Sequence, residues 1–452
     1  MDRDELAALD KDALIELIVR LYDRVTELEA RVGRPPRGPG NSSIPPSAVY
    51  KPNRAERRRQ KRGPKKGHQG LGRRRAAPDV LVRCRPAACR GCGAALAETG
   101  QRRVRRSQVV ELPELRPVVI EAWVYAARCT ACGERTVGET PAGLEASRTF
   151  GPRVEALLGY LHYGHHLSHE RLVAVCESVF DLRISEGAIA AALARLAARA
   201  QPDVDAIRED VRASPVINSD ETGARVDGRT QWHWVFQTPT ASYHLIAPSR
   251  GGAVIDGFLD GAEPEVWGSD LWAPQVGTAA GAHQVCMSHQ VRDLTYAVEA
   301  DGPEGRRWAR DLRHVFGRAM RLHHERGAVS LATFARRRVL IAKATDRLVF
   351  GPPLANGEAR RLQKRYQQHR DSLYVFLERD DVEPTNNSSE QDLRNSVIHR
   401  KVTGGYRSGW GAAASAICTS ILTTARKRGE NLFAALRSLA GPSPLQAAGI
   451  RP

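Results

Sequence analysis

The chain has 452 residues, enough for several folded units and a sizeable hydrophobic core. Its formal net charge is +17 at pH 7, and a positive balance of this size indicates a polyanionic partner, most simply nucleic acid. No apolar run reaches the roughly 20 residues that span a bilayer, and the acidic, amphipathic N-terminus is unlike a signal peptide. The sequence therefore predicts a cytoplasmic protein without a membrane partner.

The first segment repeats its apolar residues at heptad spacing. Three leucines occupy one heptad position and three β-branched residues follow four positions later: Leu14, Leu21, Leu28, Ile18, Val25 and Val32. This pattern is typical of a parallel two-stranded coiled coil. It predicts a coiled-coil, leucine-zipper-like helix over residues 1–33 that pairs protomers into a homodimer or higher oligomer. An amphipathic helix packed on its own chain is the alternative.

Residues 34–78 change to a composition that cannot build a core. The segment is first rich in Pro, Gly and Ser, and then carries twelve Lys or Arg and one acid between Lys51 and Arg75. Such a block predicts a basic, disordered linker that binds DNA phosphates, and a solvated tether is a compatible interpretation. The residues expected to contact DNA there are Arg57, Arg58, Arg59, Lys65 and Lys66.

Residues 79–145 contain two Cys-x-x-Cys pairs, each followed by glycine, on either side of a strand-like stretch over residues 118–126. Each pair can present two thiolates to one ion, and two pairs complete a tetrahedral site. The sequence therefore predicts a zinc-binding domain with one structural Zn²⁺. The expected ligands are Cys89, Cys92, Cys129 and Cys132.

Residues 150–212 have the periodicity of three helices, the last two joined by a short turn. This spacing indicates a helix-turn-helix DNA-binding domain with residues 185–199 as the recognition helix, although an ordinary helical hairpin fits equally well.

Three short runs with strand periodicity then follow, at 215–222, 231–238 and 241–248, and they predict an antiparallel meander. A helical stretch and a further strand come next. Asp220 and Asp270 occupy comparable places on two of these strands, which are rigid mounts for metal-binding carboxylates. Each aspartate alone is equally well explained as a turn former at the end of a strand.

A third acid, Glu390, lies in a helical pattern after a highly charged stretch that predicts a helical insertion over residues 301–380. Asn386, Asn387 and Arg394 share its helix face at spacings of three and four. Three carboxylates can hold two divalent ions that clamp a phosphodiester, with Arg394, Arg400 and Lys401 as the DNA contacts. The competing interpretation is a capping box, in which Asn387 caps the helix and Glu390 reaches back.

In their order along the chain, these motifs resemble the large transposase of the insertion sequence 66 family, over nearly the whole sequence. Further matching motifs are Asn41-Ser42-Ser43, Pro45-Pro46-Ser47, Gly67-His68-Gln69-Gly70, Asp220-Glu221-Thr222, Cys286-x-x-His289-x-x-Arg292, Asn386-Asn387-x-x-Glu390-x-x-x-Arg394 and Arg400-Lys401. The resemblance implies an RNase H-like core with a DDE triad of Asp220, Asp270 and Glu390. It also implies Mg²⁺ (or Mn²⁺) as the working ion and the terminal inverted repeats of a mobile element as the DNA target.

The chain departs from the family at one point. The family's second aspartate is usually followed by Gly-Tyr, whereas Asp270 is followed by Leu271 and Trp272. Asp270 remains the choice, with Asp256 and Asp260 as fallback candidates. For Cys286, His289 and Arg292, an incomplete zinc set, the sequence favours a structural role near the sheet.

The resulting prediction is a multidomain α+β protein. It consists of the coiled-coil helix, the linker, the zinc ribbon, the helix-turn-helix, an RNase H-like catalytic core over 213–300 and 381–440 with its helical insertion, and a tail over 441–452. It would act in the bacterial cytoplasm, at the nucleoid, cutting and joining double-stranded DNA at element ends and target sites, with accessory transposition proteins as potential partners. The rival interpretations are a structure-directed nuclease with the same core and a catalytically inactive DNA-binding regulator.

Overall fold

The computed structural model describes residues 15–21, 75–144, 149–441 and 443–447. Its strands are β1 (Ala126–Arg128), β2 (Arg135–Val137), β3 (Val216–Val226), β4 (Arg229–Gln237), β5 (Ser242–Ala247), β6 (Val266–Ser269) and β7 (Ala282–Val285). Its helices up to the sheet are α1 (15–21), α2 (Pro152–Gly159), α3 (His169–Phe180) and α4 (Glu186–Arg212). Those after β5 are α5 (Gly252–Leu259), α6 (Ala273–Val276), α7 (Met287–Ala300), α8 (Pro303–His324), α9 (Leu331–Val349), α10 (Gly357–Gln368), α11 (Val375–Glu378), α12 (Asn387–Thr403), α13 (Gly409–Lys427), α14 (Leu432–Leu439) and α15 (Pro444–Ala447). The predicted mixture of helices and strands is confirmed.

The central sheet has five strands in the order β5-β4-β3-β6-β7. Strands β3, β4 and β5 form the predicted antiparallel meander. Asp227 and Gly228 make the β3–β4 turn, both with positive φ (48° and 68°), as a two-residue hairpin loop of this kind requires. Strands β6 and β7 join on the other side of β3, and each runs parallel to its neighbour.

Two helical layers cover the two faces of this sheet. Successive residues of a strand point to opposite faces, and accordingly Ile217 of β3 packs with α2, α3, α4, α13 and α14 while its neighbour Val216 packs with α7 to α11. Trp267 and Val266 of β6 divide between the two layers in the same way. The sheet is therefore buried on both sides. Of the candidate acids, Asp220 lies within β3, Asp270 directly follows β6 and Glu390 lies on α12.

The predicted helix-turn-helix region shares its core with the sheet. Ser185 caps α4, its hydroxyl accepting the N–H of Ala188 at 3.2 Å. The helix then runs far beyond the predicted end at residue 199, and Ile189, Leu193 and Leu196 are buried with sheet residues in one cluster. Much of the proposed recognition helix is thus a packing helix. Residues 301–380 are helical as predicted, and α8 to α10 pack on the other face of the sheet.

The N-terminal predictions lie mostly outside the described residues. Residues 15–21 of the predicted coiled coil form helix α1, and residues 22–74, which hold most of the basic linker and its five expected DNA contacts, are outside the described part. The strand expected over 118–126 is wrong except for Ala126, because the short hairpin of β1 and β2 begins only there and the preceding residues are mostly exposed without a partner strand. In the described part of the chain, no helix is both long enough and apolar enough to cross a bilayer.

Candidate active site

The first two candidate acids lie just beyond the parallel pairing of β3 with β6, Asp220 in the middle of β3 and Asp270 after the end of β6. The two strands pair from Val216 with Val266 to Asn218 with Gly268. Asp220 and Asp270 each come two residues after the last of these pairs. The charge of Asp270 raises the pKa of Asp220, so the two carboxyl groups are near each other. Asp270 directly follows the last residue of β6. The sequence placed both carboxylates on strands, whereas in the structure Asp220 is within β3 and Asp270 is the residue after β6.

A close approach of the two strands is needed just before the acids. A side chain at Gly268 would place its Cβ 2.0 Å from the Oδ1 of Asn218. Only glycine fits there without displacing Asn218, and Asn218 precedes Asp220 by two residues on the same face of β3.

The third acid, Glu390, lies in the first turn of α12. The N-cap residue Asn386 fixes this end of the helix to β3 and α7. Its amide Nδ2 donates to the carbonyl of Ser219 at 2.7 Å, and its backbone N–H donates to the Sγ of Cys286 at 3.2 Å. Its Oδ1 in turn accepts the hydroxyl of Ser389 at 2.6 Å. Asn386 thereby sets the position of Glu390 relative to the residue before Asp220.

The other side of α12 is held by a buried polar cluster. Asp392 accepts the hydroxyl of Ser242 at 2.6 Å and forms an ion pair with Lys427 at 3.2 Å. Gln237 of β4 donates to the hydroxyl of Ser388 at 2.6 Å. These contacts dock the helix of Glu390 on β4, β5 and α13 by directional bonds.

The capping-box interpretation of this helix start is wrong. Helix α12 begins at Asn387, so the N-cap is Asn386 and not Asn387, and Asn386 caps no backbone N–H through its side chain. Glu390 does not reach back, because its Oε1 is buried without a hydrogen-bond partner. The backbone N–H of the N-cap residue binds the Sγ of Cys286 instead, and the carboxylate of Glu390 is turned toward α7.

The acids perturb one another. Burial, followed by the charges of Glu221, Asp270 and Glu390, raises the pKa of Asp220 well above its ordinary value. Burial and the charge of Glu221 raise the pKa of Asp270 to about 6, against a smaller lowering by the N–H of Trp272. Carboxylates that raise each other's pKa in this way favour a divalent cation, so the donor set has the chemistry that Mg²⁺ requires.

Helix α7 presents a guanidinium and an imidazole to Glu390, and burial lowers the pKa of the imidazole, that of His289. A guanidinium nitrogen of Arg292 lies 3.5 Å from the Oε1 of Glu390, and the Nε2 of His289 lies 3.7 Å from the same oxygen. Cys286 is buried at the N-cap of α7, which agrees with the structural role expected for it. Its motif partners His289 and Arg292 instead reach the candidate site.

A second network around Glu221 was not anticipated. The Oε1 of Glu221 pairs with the Nε of Arg250 at 2.7 Å, and its Oε2 accepts the amide of Gln275 at 2.8 Å. The guanidinium of Arg250 lies between two indole rings, 4.9 Å from Trp232 and 4.2 Å from Trp272. The dipeptide Asp220-Glu221 was the available signal, since a second acid beside the first needs its own counter-charge when buried.

The cations expected on α12 are placed differently from one another. Arg394 and Lys401 are exposed, as DNA contacts require, and so is Asn387. Arg400 is half-buried and donates to the carbonyl of Gly223 on β3. It therefore ties the helix to the sheet in this structure.

The fallback acids lie away from this cluster. Asp256 is exposed on α5, and Asp260 ends that helix with a left-handed backbone and lies 3.7 Å from Arg212. Neither contributes to the raised pKa of Asp220.

The two cysteine pairs form matching turns. In each, the glycine after the pair has a positive φ and donates its N–H to the carbonyl of the first cysteine, at 2.9 Å in both cases. The backbone N–H of Cys92 lowers the pKa of Cys89, and that of Cys132 lowers the pKa of Cys129, so the turns favour thiolates. Among the described residues, no group of three or more His, Cys, Asp or Glu side chains stands ready at metal-holding distances.

The comparison that decides the family covers this whole site. The model of the transposase IS66 family matches residues 148–414, which include β3, β6, α7 and the first turn of α12 with Glu390. The chain belongs to the IS66 transposase family. It is also 27% identical over 185 residues to the uncharacterized protein y4jO of Sinorhizobium fredii (strain NBRC 101917 / NGR234), which covers 38% of this chain and 56% of that protein. The chain thus spans just over half the length of this relative.

Proposed function

We propose that this IS66-family chain is a DNA transposase that cuts and joins element ends by a DDE mechanism. The observation that carries the proposal is the proximity of the three acids: the charges of Asp270 and Glu390 raise the pKa of Asp220, and the charge of Glu390 also raises that of Asp270, although α7 to α11 separate the last two along the chain. The five-stranded order, three antiparallel strands followed by two parallel ones, supports the RNase H-like core that the family resemblance implies.

The three acids would bind divalent ions. Two Mg²⁺ (or Mn²⁺) ions held there would activate the attacking oxygen and stabilise the leaving one. The protein would contribute by holding the three carboxylates in position. Strand β3 would hold Asp220 next to Asp270, which follows β6, and the Asn386 contacts would hold Glu390 relative to them. In the first step water adds to the scissile phosphorus and the P–O3′ bond breaks, which leaves a 3′-hydroxyl. In the second step that hydroxyl attacks a target phosphodiester and the target strand's own 3′-oxygen leaves.

DNA binding is assigned to the basic and exposed parts of the chain. Exposed Arg394 and Lys401 lie on the helix of the third acid and suit phosphates near the scissile bond. The two cysteine turns would bind one structural Zn²⁺, and with the basic linker they would bind the element ends mainly through phosphates. Pairing of two ends would use the N-terminal heptad segment.

The test is strand cleavage and joining on labelled DNA that carries the element's terminal inverted repeats, with Mg²⁺ present. Asp220→Asn, Asp270→Asn and Glu390→Gln should each bind the DNA as the wild type does and neither cut nor join it. Asp256→Asn is the matched control and should remain active. A wild-type protein that binds the ends but never cuts would refute the proposal and favour a DNA-binding regulator. Cutting at any branched DNA without joining would favour a nuclease.

A further inference from the structure

The Oε1 atom of Glu390 lies close to two side chains of α7 but forms no hydrogen bond. This oxygen is buried, yet the guanidinium of Arg292 and the imidazole of His289 lie 3.5 and 3.7 Å away and make no hydrogen bond with it. The Nδ1 of His289 is also buried without a partner. Two unsatisfied polar atoms at one site are unusual in a folded protein and indicate that the site has another arrangement in which they are used.

Arg292 is well placed to be one partner in such an exchange. Its Nε donates to the carbonyl of Ser288 at 3.4 Å, so the side chain stays anchored on α7 whether or not it contacts Glu390. Its side chain is 23% exposed and that of Glu390 is 39% exposed, so both ends of the contact can be reached from solvent. Arg250, the cation paired with Glu221, also contacts two indole rings.

We propose that Arg292 is a positioning residue that holds Glu390 as its counter-ion in the DNA-free protein and releases it when a divalent ion binds. The inference rests on the proposed function, because it takes Glu390 as a ligand of that ion. A cation beside a metal-binding carboxylate opposes a second cation there. Once released, the guanidinium is a suitable donor for a phosphodiester oxygen of the bound DNA. Arg292 thus keeps the ion weakly bound until DNA is present.

Arg292→Gln is expected to strengthen metal binding and to slow strand cleavage. Mn²⁺ binding to the DNA-free protein should become about tenfold tighter, the scale of one nearby charge. Strand cleavage at saturating Mn²⁺ should become at least about tenfold slower, because a charged phosphate contact is lost. Arg292→Lys keeps the charge and should bind Mn²⁺ as the wild type does. A change that only loosened the fold would weaken both properties.

The experiment is a Mn²⁺ titration of the full chain without DNA, followed by electron paramagnetic resonance or calorimetry. It compares wild type with Asp220→Asn, Asp270→Asn, Glu390→Gln, Arg292→Gln, Arg292→Lys and the double variant Arg292→Gln/Glu390→Gln. Arg437→Gln, an exposed residue of α14, is the matched control for charge and should leave the affinity unchanged. In the Glu390→Gln background, Arg292→Gln should have no further effect, since its partner is gone.

The outcomes separate the two proposals. Mn²⁺ binding that does not depend on Asp220, Asp270 or Glu390 at all would overturn the proposed function. Binding that depends on these acids but is unchanged or weaker in Arg292→Gln would overturn only the role of Arg292. Tighter binding with undiminished cleavage would overturn the phosphate contact.

Discussion

Asp270 gives the most direct physical test of the acid cluster, since its raised pKa has a consequence for stability. A carboxyl whose pKa is raised by folding binds its proton more tightly in the folded state. The stability that it contributes is fully present below its unfolded pKa of about 3.9 and is lost as pH rises through about 6. The metal-free protein should therefore lose stability over this window, and Asp270→Asn should lose less.

The size of the effect follows from the shift. Asp270 moves from 3.8 to about 6, and each pKa unit corresponds to about 1.4 kcal/mol, so an ionised Asp270 costs up to about 3 kcal/mol. Asparagine keeps the oxygen that accepts the N–H of Trp272 and removes the charge. At pH 8, Asp270→Asn should be more stable than wild type by about 2 to 3 kcal/mol, and at pH 4 the two should be nearly equal.

The assay is urea unfolding in the presence of a chelator from pH 4 to pH 8, followed by circular dichroism. Asp256→Asn removes an equally negative but exposed side chain from α5, and its curve should follow that of the wild type. Added Mg²⁺ should stabilise the wild type and leave Asp270→Asn largely unchanged. A difference between Asp270→Asn and wild type that is absent at pH 8, or identical at pH 4 and pH 8, would refute the electrostatic account of the site.

Three further outcomes are expected. Gly268→Ala should lower the free energy of unfolding by about 1 to 3 kcal/mol, measured in urea, because the new Cβ meets Asn218. Lys427→Met should lower it by about 3 to 5 kcal/mol, since it leaves the buried Asp392 carboxylate without its cation. Cys89→Ser should lower the zinc content of the purified protein, measured by mass spectrometry, because it removes a ligand of the proposed tetrahedral site.

Each of these has its own control. Adding Asn218→Ala to the Gly268→Ala variant should restore part of the lost stability, and no recovery would argue against the steric cause. Asp392→Asn should partly rescue Lys427→Met, because it removes the unpaired charge. Cys176→Ala, at a buried thiol of α3, should keep the wild-type zinc content, and equal loss in both cysteine variants would argue for unfolding.

The spacing of apolar and polar residues along the chain was enough to predict the meander and the helical insertion. It missed β7, whose four residues, Ala282 to Val285, include two polar side chains and gain their strand conformation by pairing with β6. It also overextended the strand before Ala126, where β-branched residues occur without a partner strand. Local pattern predicts elements well where each is amphipathic, and poorly where pairing with a distant segment decides the conformation.

The same limit applies to the site. The three candidate acids could be chosen from their motifs, because each motif is local. The Glu221 network could not, because Arg250, Trp232 and Trp272 are distant along the chain and meet only when β4, β6 and α6 assemble. The contact between Arg292 and Glu390 joins two helices about a hundred residues apart, and no periodicity within either helix encodes it.

The way α12 docks has a consequence for how the site tolerates change. Leu393 is the sole apolar residue among the five that this helix buries, and the other four are Ser389, Asp392, Ser396 and His399. Apolar side chains can repack after a small shift of neighbouring elements, whereas hydrogen bonds weaken when their angle changes. The hydrogen bonds of this interface are therefore compatible with one position of the helix. Substitutions in α12 would therefore displace Glu390 well before they unfolded the protein. We expect α12 to be the part of the core in which a mutated copy of this chain can lose activity and remain folded.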